Sequence, residues 1–309
     1  MQQLTQLTNR PLQGDADFWR VRDFLVATYS VTPLGLNWEV RRWDGSRFHH
    51  ATDDWVARCA GRVQLWETAS SQLVGVVNAD GDGDAHLQVH PDFRGIEGEM
   101  VAWAEAHLAV PNATGRRQLE IFVYDYDTAR QQLLQQRGYT QMSYGGAVRR
   151  LRVAEHQEAP TALAAGYTLG TTAPADLANC QRIADLLNAA FHRDFHTAIE
   201  FQNFTQQAPC FHPDLDLVAV APDGAFAAYV GIAYDETNRH AVFEPVCTHP
   251  AHQRHGLARG LMVEGLHRLK ALGAVDVSVD TGDMIPANRL YDSIGFTEVC
   301  LGHGWRKEF

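Results

Sequence analysis

Cysteine is scarce in this chain of 309 residues: the five are Cys59, Cys180, Cys210, Cys247 and Cys300. No two form a C-x-x-C pair and the number is odd, which argues against a disulfide framework or a zinc knuckle. No stretch reaches the ~18 uncharged apolar residues that a membrane span requires. The opening MQQLTQLTNRPLQG has neither an apolar run nor a basic stretch. No signal peptide is therefore expected, and the expected location is cytoplasmic. Basic residues are in deficit as well. Lys and Arg number 26 against 37 Asp and Glu, for a net charge of -11. A nucleic-acid partner, which needs clustered cations, is not expected.

What is present is apolar substance. Hydrophobic residues make up 45% and charged residues 20%, a balance that supports packed cores rather than disorder, and the length suits two ordinary domains. The acidic excess is uneven. Residues 1–155 carry 16 Lys and Arg against 19 Asp and Glu, and the remainder carries 10 against 18. An acidic second half serves solubility, and it also steers cationic molecules toward itself.

Periodicity divides the chain into two stretches with one plan. In the first, a helix over 17–28 leads to paired strands at Val63–Glu67 and Leu73–Val77. A strand ending at His90-Pro91 follows, then a helix over 97–108, a strand over 118–124 and a helix over 128–137 that stops at Gly138. The second repeats the order. A strand at Tyr167-Thr-Leu and a helix over 176–191 precede strands over 215–220, 225–234 and 241–248. The last ends at His249-Pro250 and is followed by a helix over 256–272, a strand over 274–280 and a helix over 287–294 stopped by Gly295. His90-Pro91 matches His249-Pro250, and Gly138-Tyr139 matches Gly295-Phe296. The spacing from proline to glycine is 47 residues in the first stretch and 45 in the second. The reading is a tandem duplication of one α+β unit, with domains at 1–153 and 164–309 and a polar linker at 154–163.

The densest chemistry lies between Val246 and Arg259. A strand runs into the loop Gln253-Arg254-His255-Gly256-Leu257-Ala258, which opens a helix. Small residues at 256 and 258 admit a ligand close to the backbone, and the first helical N–H groups have no internal partner. With the positive end of the helix dipole they make an anion site, to which Arg254, His255 and Arg259 add donors. A glycine at a helix start also has a plain structural explanation, so the context decides. Here the context is a following strand and a helix that carries Leu290-Tyr291 and ends at Gly295-Phe296.

Q-R-H-G-L-A resembles the pyrophosphate loop Q/R-x-x-G-x-G/A of the GNAT acetyltransferase superfamily. A-N-R-L-Y-D-S-I-G-F, from Ala287 to Phe296, is similar to that family's later motif N-x-x-A-x-x-L-Y-x-x-x-G-F. The resemblance implies, for each half, a mixed and mostly antiparallel sheet flanked by helices, with two splayed parallel strands. It implies acetyl-CoA as donor, with Val246, Cys247 and Thr248 along the pantetheine and Gln253 to Arg259 on the pyrophosphate. The family's asparagine falls on Met284, and Asp283 or Asn288 is the candidate to replace its hydrogen bond.

By the same resemblance Tyr291 stands where the family places a general acid, and a positioned phenol can protonate a departing thiolate. Its alternative role is a half-buried aromatic on an amphipathic helix. Glu244 is the candidate base for the amine, directly or through a water, and its alternative is a structural ion-paired glutamate. Pro245 marks an edge or a bulge in that strand, and a bulge suits a strand that must splay from its neighbour. The first half departs from the pattern. In Arg94-Gly-Ile-Glu-Gly-Glu the two small residues are replaced by Glu97 and Glu99, and Leu134 stands in the tyrosine's position. That half reads as a degenerate copy without cofactor binding.

His249, His252 and His255 are spaced by three and His192 and His196 by four. Both spacings can bind a metal, but no metal is expected. The aromatic stretch Phe191, Phe195, Phe201, Phe204 and Phe211 reads as core, with some members turned to the acceptor. The expected activity is direct acetyl transfer from acetyl-CoA to a primary amine of a small molecule, by a monomer or homodimer without a membrane partner. The competing reading is a non-catalytic acyl-CoA-binding or interaction module.

Overall fold

A computed structural model of the chain describes residues 7–160, 162–282 and 284–309. The first elements are β1 (Leu7–Pro11), α1 (Asp15–Tyr29), α2 (Val40–Phe48), α3 (Trp55–Cys59), β2 (Val63–Thr68), β3 (Leu73–Asn78) and β4 (Asp84–Val89). They continue with α4 (Glu97–His107), β5 (Val110–Pro111), β6 (Arg117–Tyr124), α5 (Thr128–Gln136) and β7 (Thr140–Arg152). Then come β8 (Thr168–Thr171), α6 (Leu177–Phe191), α7 (Ala198–Gln207), β9 (Leu217–Val220), β10 (Phe226–Asp235) and β11 (His240–Thr248). The last are α8 (Leu257–Ala271), β12 (Asp276–Gly282), α9 (Ile285–Ile294) and β13 (Glu298–Glu308). No described helix is long and apolar enough to cross a membrane.

The chain forms two compact units that only partly follow the two sequence halves. One comprises Met1–Glu39, Asp54–Ala147 and Cys300–Phe309, the other Val40–Asp53 and Val148–Val299. The expected boundaries at 153 and 164 therefore miss two exchanges: α2 belongs to the second unit, and nearly all of β13 to the first. Packing, not chain order, assigns them: Val40, Trp43 and Phe48 of α2 and Trp305 of β13 are buried.

In the first unit β1, β2, β3 and β4 pair antiparallel in sequence order. β4 then lies parallel to β6, through Asp84↔Glu120 and Ala85↔Ile121, and β13 covers the other side of β6 antiparallel. The core gathers Trp66, Val77, Leu87, Met100, Leu119 and Trp305. The second unit orders its strands β12-β11-β10-β9-β8, with the end of β7 beside β12. β8 with β9, β9 with β10 and β10 with β11 pair antiparallel, and β11 with β12 pairs parallel. Its core centres on Leu217, Val230, Phe243, Leu261, Leu266 and Phe296. Each unit is thus a mixed, mostly antiparallel sheet flanked by helices, and the class is α+β.

Helix termini follow local chemistry. Asp176 caps α6 by accepting from the N–H of Ala178 at 2.9 Å. Thr197 caps α7 by accepting from the N–H of Glu200. α9 stops at Gly295 in the left-handed region, φ 107°, as a glycine after the last turn permits.

Candidate active site

The site grows out of a parting of two strands. β11 and β12 are paired at His240↔Asp276, Ala241↔Val277 and Val242↔Ser278. Beyond that point β11 follows its other neighbour: Val246, Cys247 and Thr248 pair with Val230, Tyr229 and Ala228 of β10. The register of β10 and β11 shifts in between, so that Glu244 and Pro245 oppose the single residue Gly231. Of the edge or bulge that Pro245 marks, the strand forms the bulge; proline has no N–H for the ladder. Gly231 is required there. A Cβ on it would lie 2.8 Å from Tyr229 Oη and 2.9 Å from the Glu244 carbonyl oxygen. The bulge turns Glu244 outward, with its side chain half exposed.

At the end of β11 the chain makes a 3₁₀ turn over Pro250–His252, capped by His249 Nδ1 accepting from the N–H of Ala251 at 3.2 Å. Tyr167 Oη lies 3.0 Å from His252 Nδ1 and steadies this turn. Gln253, Arg254, His255 and Gly256 are exposed. Arg254 and Gly256 both have φ 69°. Gly256 is the N-cap of α8, and no side chain caps the helix. A Cβ on Gly256 would meet nothing within 4 Å. The start of α8 therefore presents its amide donors and positive dipole end on an open side, while Leu257 anchors the helix in the core. Arg259 is otherwise engaged. Its guanidinium forms a two-bond fork with Glu158, at 2.6 and 2.7 Å.

Tyr291 is buried on α9, its ring 6.0 Å from that of Phe296. Burial, with Asp280 nearby, pushes its phenol up to about 12. The hydroxyl is therefore protonated throughout the physiological range and available as a donor.

Glu244 borders a narrow pocket whose free volume is ≈ 20 Å³, about the room one ordered water needs. Arg41, His49, Phe201, Phe204, Asp216 and Tyr229 are among its walls. Arg41 Nε lies 3.9 Å from Glu244 Oε2, and its guanidinium packs 4.9 Å from the centre of the Phe204 ring. Burial works against the charge of Arg41, but Glu244 and other negative neighbours outweigh it. Gly45 makes the fit possible, since a Cβ there would come within 2.6 Å of Arg41 Nη1. Burial, Arg41 and the His196 and His50 rings push His49 down to about 3, so it is neutral at physiological pH. Asp216 is fully buried and pushed up to about 6 by that burial, even though Thr172 and Tyr229 donate to it, Tyr229 Oη at 2.6 Å.

Residues 180–296 match the acetyltransferase (GNAT) family model. That stretch lies in the second half of the chain, which is thereby similar to a GNAT acetyltransferase domain. The mycothiol acetyltransferase of Kineococcus radiotolerans is 28% identical over 235 residues, 74% of each chain. Among solved structures, a tandem GNAT protein of the clavulanic acid biosynthesis pathway superposes with a TM-score of 0.67 at 19% identity, covering 98% of both chains. A GCN5-related N-acetyltransferase from Sphaerobacter thermophilus gives 0.65 at 19%, covering 98% of this chain and 95% of its own. At these identities the likeness establishes the fold, and it extends over both halves. The protein is an acyltransferase.

Within this half the structure brings together part of the expected set. The parted strands, the exposed Gln253–Gly256 loop and the uncapped α8 are contiguous. Asn288, one candidate to replace the family's asparagine, is already committed: it accepts from Arg149 Nε at 3.0 Å and donates to the carbonyls of Gly282 and Met284, both at 3.1 Å. Met284 is exposed, and Asp283 lies outside the described residues. Phe201, Phe204 and Phe211 of the aromatic stretch line the pocket, whereas Phe195 is exposed. Arg41, His49, Asp216 and Tyr229 are wall residues that no sequence pattern flagged.

The first unit differs at the corresponding helix start. Arg94 bonds Glu97 at 2.6 Å and Asp127 at 2.7 Å, and Arg130 bonds Glu97 at 3.0 Å. Burial disfavours the charge of Glu97, but Arg130 and Arg94 outweigh it and hold the carboxyl below its ordinary range. Glu99 accepts from Asn9 Nδ2 at 2.7 Å and from Trp66 Nε1 at 3.0 Å. The start of α4 thus carries its own anion, already partnered.

Proposed function

We propose that the protein transfers the acetyl group of acetyl-CoA directly to a primary amine of a small molecule, and that the second unit does this. The observation that carries the reading is the uncapped start of α8, with left-handed Gly256, at the end of a strand that has parted from its parallel neighbour. Splayed strands leave backbone donors and acceptors for an extended amide-bearing arm, and the helix start takes a pyrophosphate. On this reading Val246, Cys247 and Thr248 border the arm, and Gln253–Ala258 bind the phosphates. Arg259 contributes only after leaving Glu158.

Glu244 removes a proton from the ammonium group of the acceptor, and the free amine attacks the thioester carbonyl carbon. The new C–N bond forms as the C–S bond breaks. Tyr291 gives its phenolic proton to the departing sulfur, and the proton that the new amide nitrogen sheds restores the phenol. Arg41 balances the charge of Glu244 and helps to set its position. The first unit takes no cofactor, because Glu97 occupies the position of an anion at the start of α4.

The test is a panel of small primary amines offered with acetyl-CoA and assayed for free thiol. The panel includes the acceptor of mycothiol acetyltransferase, because the relative bears that name. Transfer to at least one amine supports the reading. Tight acetyl-CoA binding with no transfer to any amine favours a non-catalytic acyl-CoA-binding module. Met284 in place of the family's asparagine and the pairing of Arg259 with Glu158 are the observations on that side.

A further inference from the structure

Three side chains beside the pocket have no part in the proposed transfer. His49 follows α2, His196 precedes the cap of α7, and Glu200 lies in the first turn of α7. His196 Nδ1 is 2.7 Å from Glu200 Oε1, and His49 Nε2 is 3.7 Å from the same oxygen. One donor atom from each of the three lies within 4.8 Å of the others. The side chains are 23%, 9% and 13% exposed, respectively. The Nε2 atoms of both histidines are buried and have no hydrogen-bond partner among the described residues. A buried ring nitrogen without a partner has lost its water and gained nothing in exchange; of the two, His49 Nε2 is the one that faces Glu200, and His196 reaches the cluster through Nδ1.

We propose that His49, His196 and Glu200 bind one divalent transition-metal ion, zinc by ligand type, with a fourth position left for water. Two imidazoles and one carboxylate are a ligand set of open zinc sites. Tetrahedral bonds of about 2.0–2.2 Å set ligand atoms roughly 3.3 Å apart. The 3.7 Å contact closes slightly and the 2.7 Å contact opens slightly to reach that spacing. Arg41, a cation that acts on His49, has Glu244 at 3.9 Å to offset it. His49 and Arg41 pack on the same ring, Phe204, at 5.5 and 4.9 Å. A metal on His49 therefore clasps the segment that carries Arg41 to α7 and fixes that wall of the pocket. His192 is not part of the cluster: it is the left-handed residue that ends α6, and His196 stands beside Glu200 and the His49 ring.

The full chain, stripped with a chelator, is titrated with Co²⁺ and followed by visible absorption. The expected result is one equivalent bound, with the intense bands of a four-coordinate site that Zn²⁺ bleaches. Calorimetry with Zn²⁺ gives the affinity. His49→Ala and His196→Gln are each expected to weaken it by at least about 100-fold, since even outer-shell changes cost about 10–100-fold. His252→Ala, in the loop before α8, leaves it unchanged. Circular dichroism checks each variant's fold. If one fails, the other and the wild-type titration still decide. No Zn²⁺ binding by the wild type in molar excess overturns the proposal. So does an affinity that survives in either folded ligand variant, or one that is lost with His252.

Discussion

Tyr291 and Glu244 would divide the protons of the transfer between a buried phenol and a half-exposed carboxylate. Replacing Tyr291 with Phe keeps the ring that packs on Phe296 and removes only the hydroxyl. Turnover on an accepted amine should fall about 10²–10⁴-fold, the usual reach of general acid catalysis, with acetyl-CoA affinity near wild type. Unchanged turnover, where chemistry limits the rate, returns Tyr291 to the core as a packing residue. Asp216 gives a pH prediction. Its folded pKa of about 6 lies above the ordinary 3.8, so the folded chain holds a proton that the unfolded chain has released. Stability therefore falls as pH rises from about 4 to 6, by on the order of 2–3 kcal/mol at about 1.4 kcal/mol per unit. Asp216→Asn mimics the protonated form and keeps an acceptor for Tyr229. Its melting midpoint should gain on the wild type across that range, and a difference that does not change with pH removes the assignment. Tyr291 was marked in the sequence by the resemblance of Ala287–Phe296 to the family's later motif, and the structure places it buried on α9. Arg41 and His49 were not so marked, because nothing local in Val40–Phe48 ties it to a strand that comes far later.

At the scale of elements, the start of α8 is the feature that most constrains function. Gly256→Glu places a side chain into open space, at a φ of 69° that is strained for any residue with a Cβ. The strain costs about 1–2 kcal/mol, small enough for the fold to survive. The carboxylate opposes a pyrophosphate, as Glu97 would at α4. CoA affinity measured by calorimetry should be lost in Gly256→Glu and largely kept in Gly256→Ala, which separates charge from strain. Equal affinity in Gly256→Glu and wild type moves the phosphates elsewhere. The long periodic helices α4, α6 and α8 were legible in the sequence to within a residue or two. α2 was not, since Gly45 interrupts a polar run, and that glycine exists to seat Arg41. α7 hid behind its phenylalanines, although Thr197 followed three residues on by Glu200 is a helix-start signature. β13 was missed because Gly302 and Gly304 weaken any strand pattern. Side chains there would strike Phe122 at 2.6 Å and Glu120 at 2.8 Å, so the glycines record how closely β13 lies on β6.

At the scale of the whole molecule, the duplicated plan predicts one cofactor rather than two. Calorimetry of the full chain should return one acetyl-CoA per chain, abolished by Gly256→Glu. Two equivalent sites would mean that Glu97 can be displaced and that the first unit is not degenerate. The duplication was legible because paired anchors at His-Pro and Gly-aromatic recur at similar spacing. The exchange of segments was not legible, because periodicity says what an element is and nothing about which core it joins. That exchange bears on how the chain is made. A ribosome delivers Cys300–Phe309 only after every candidate site residue has emerged. Until then β6 has one side unpaired along its length, from Gln118 to Tyr124, and Trp305 is missing from the core it completes. An exposed strand edge of that kind invites pairing with other chains. The half of the protein that carries no proposed chemistry is thus the half that finishes late, and its waiting edge exposes a nascent or truncated chain to mispairing.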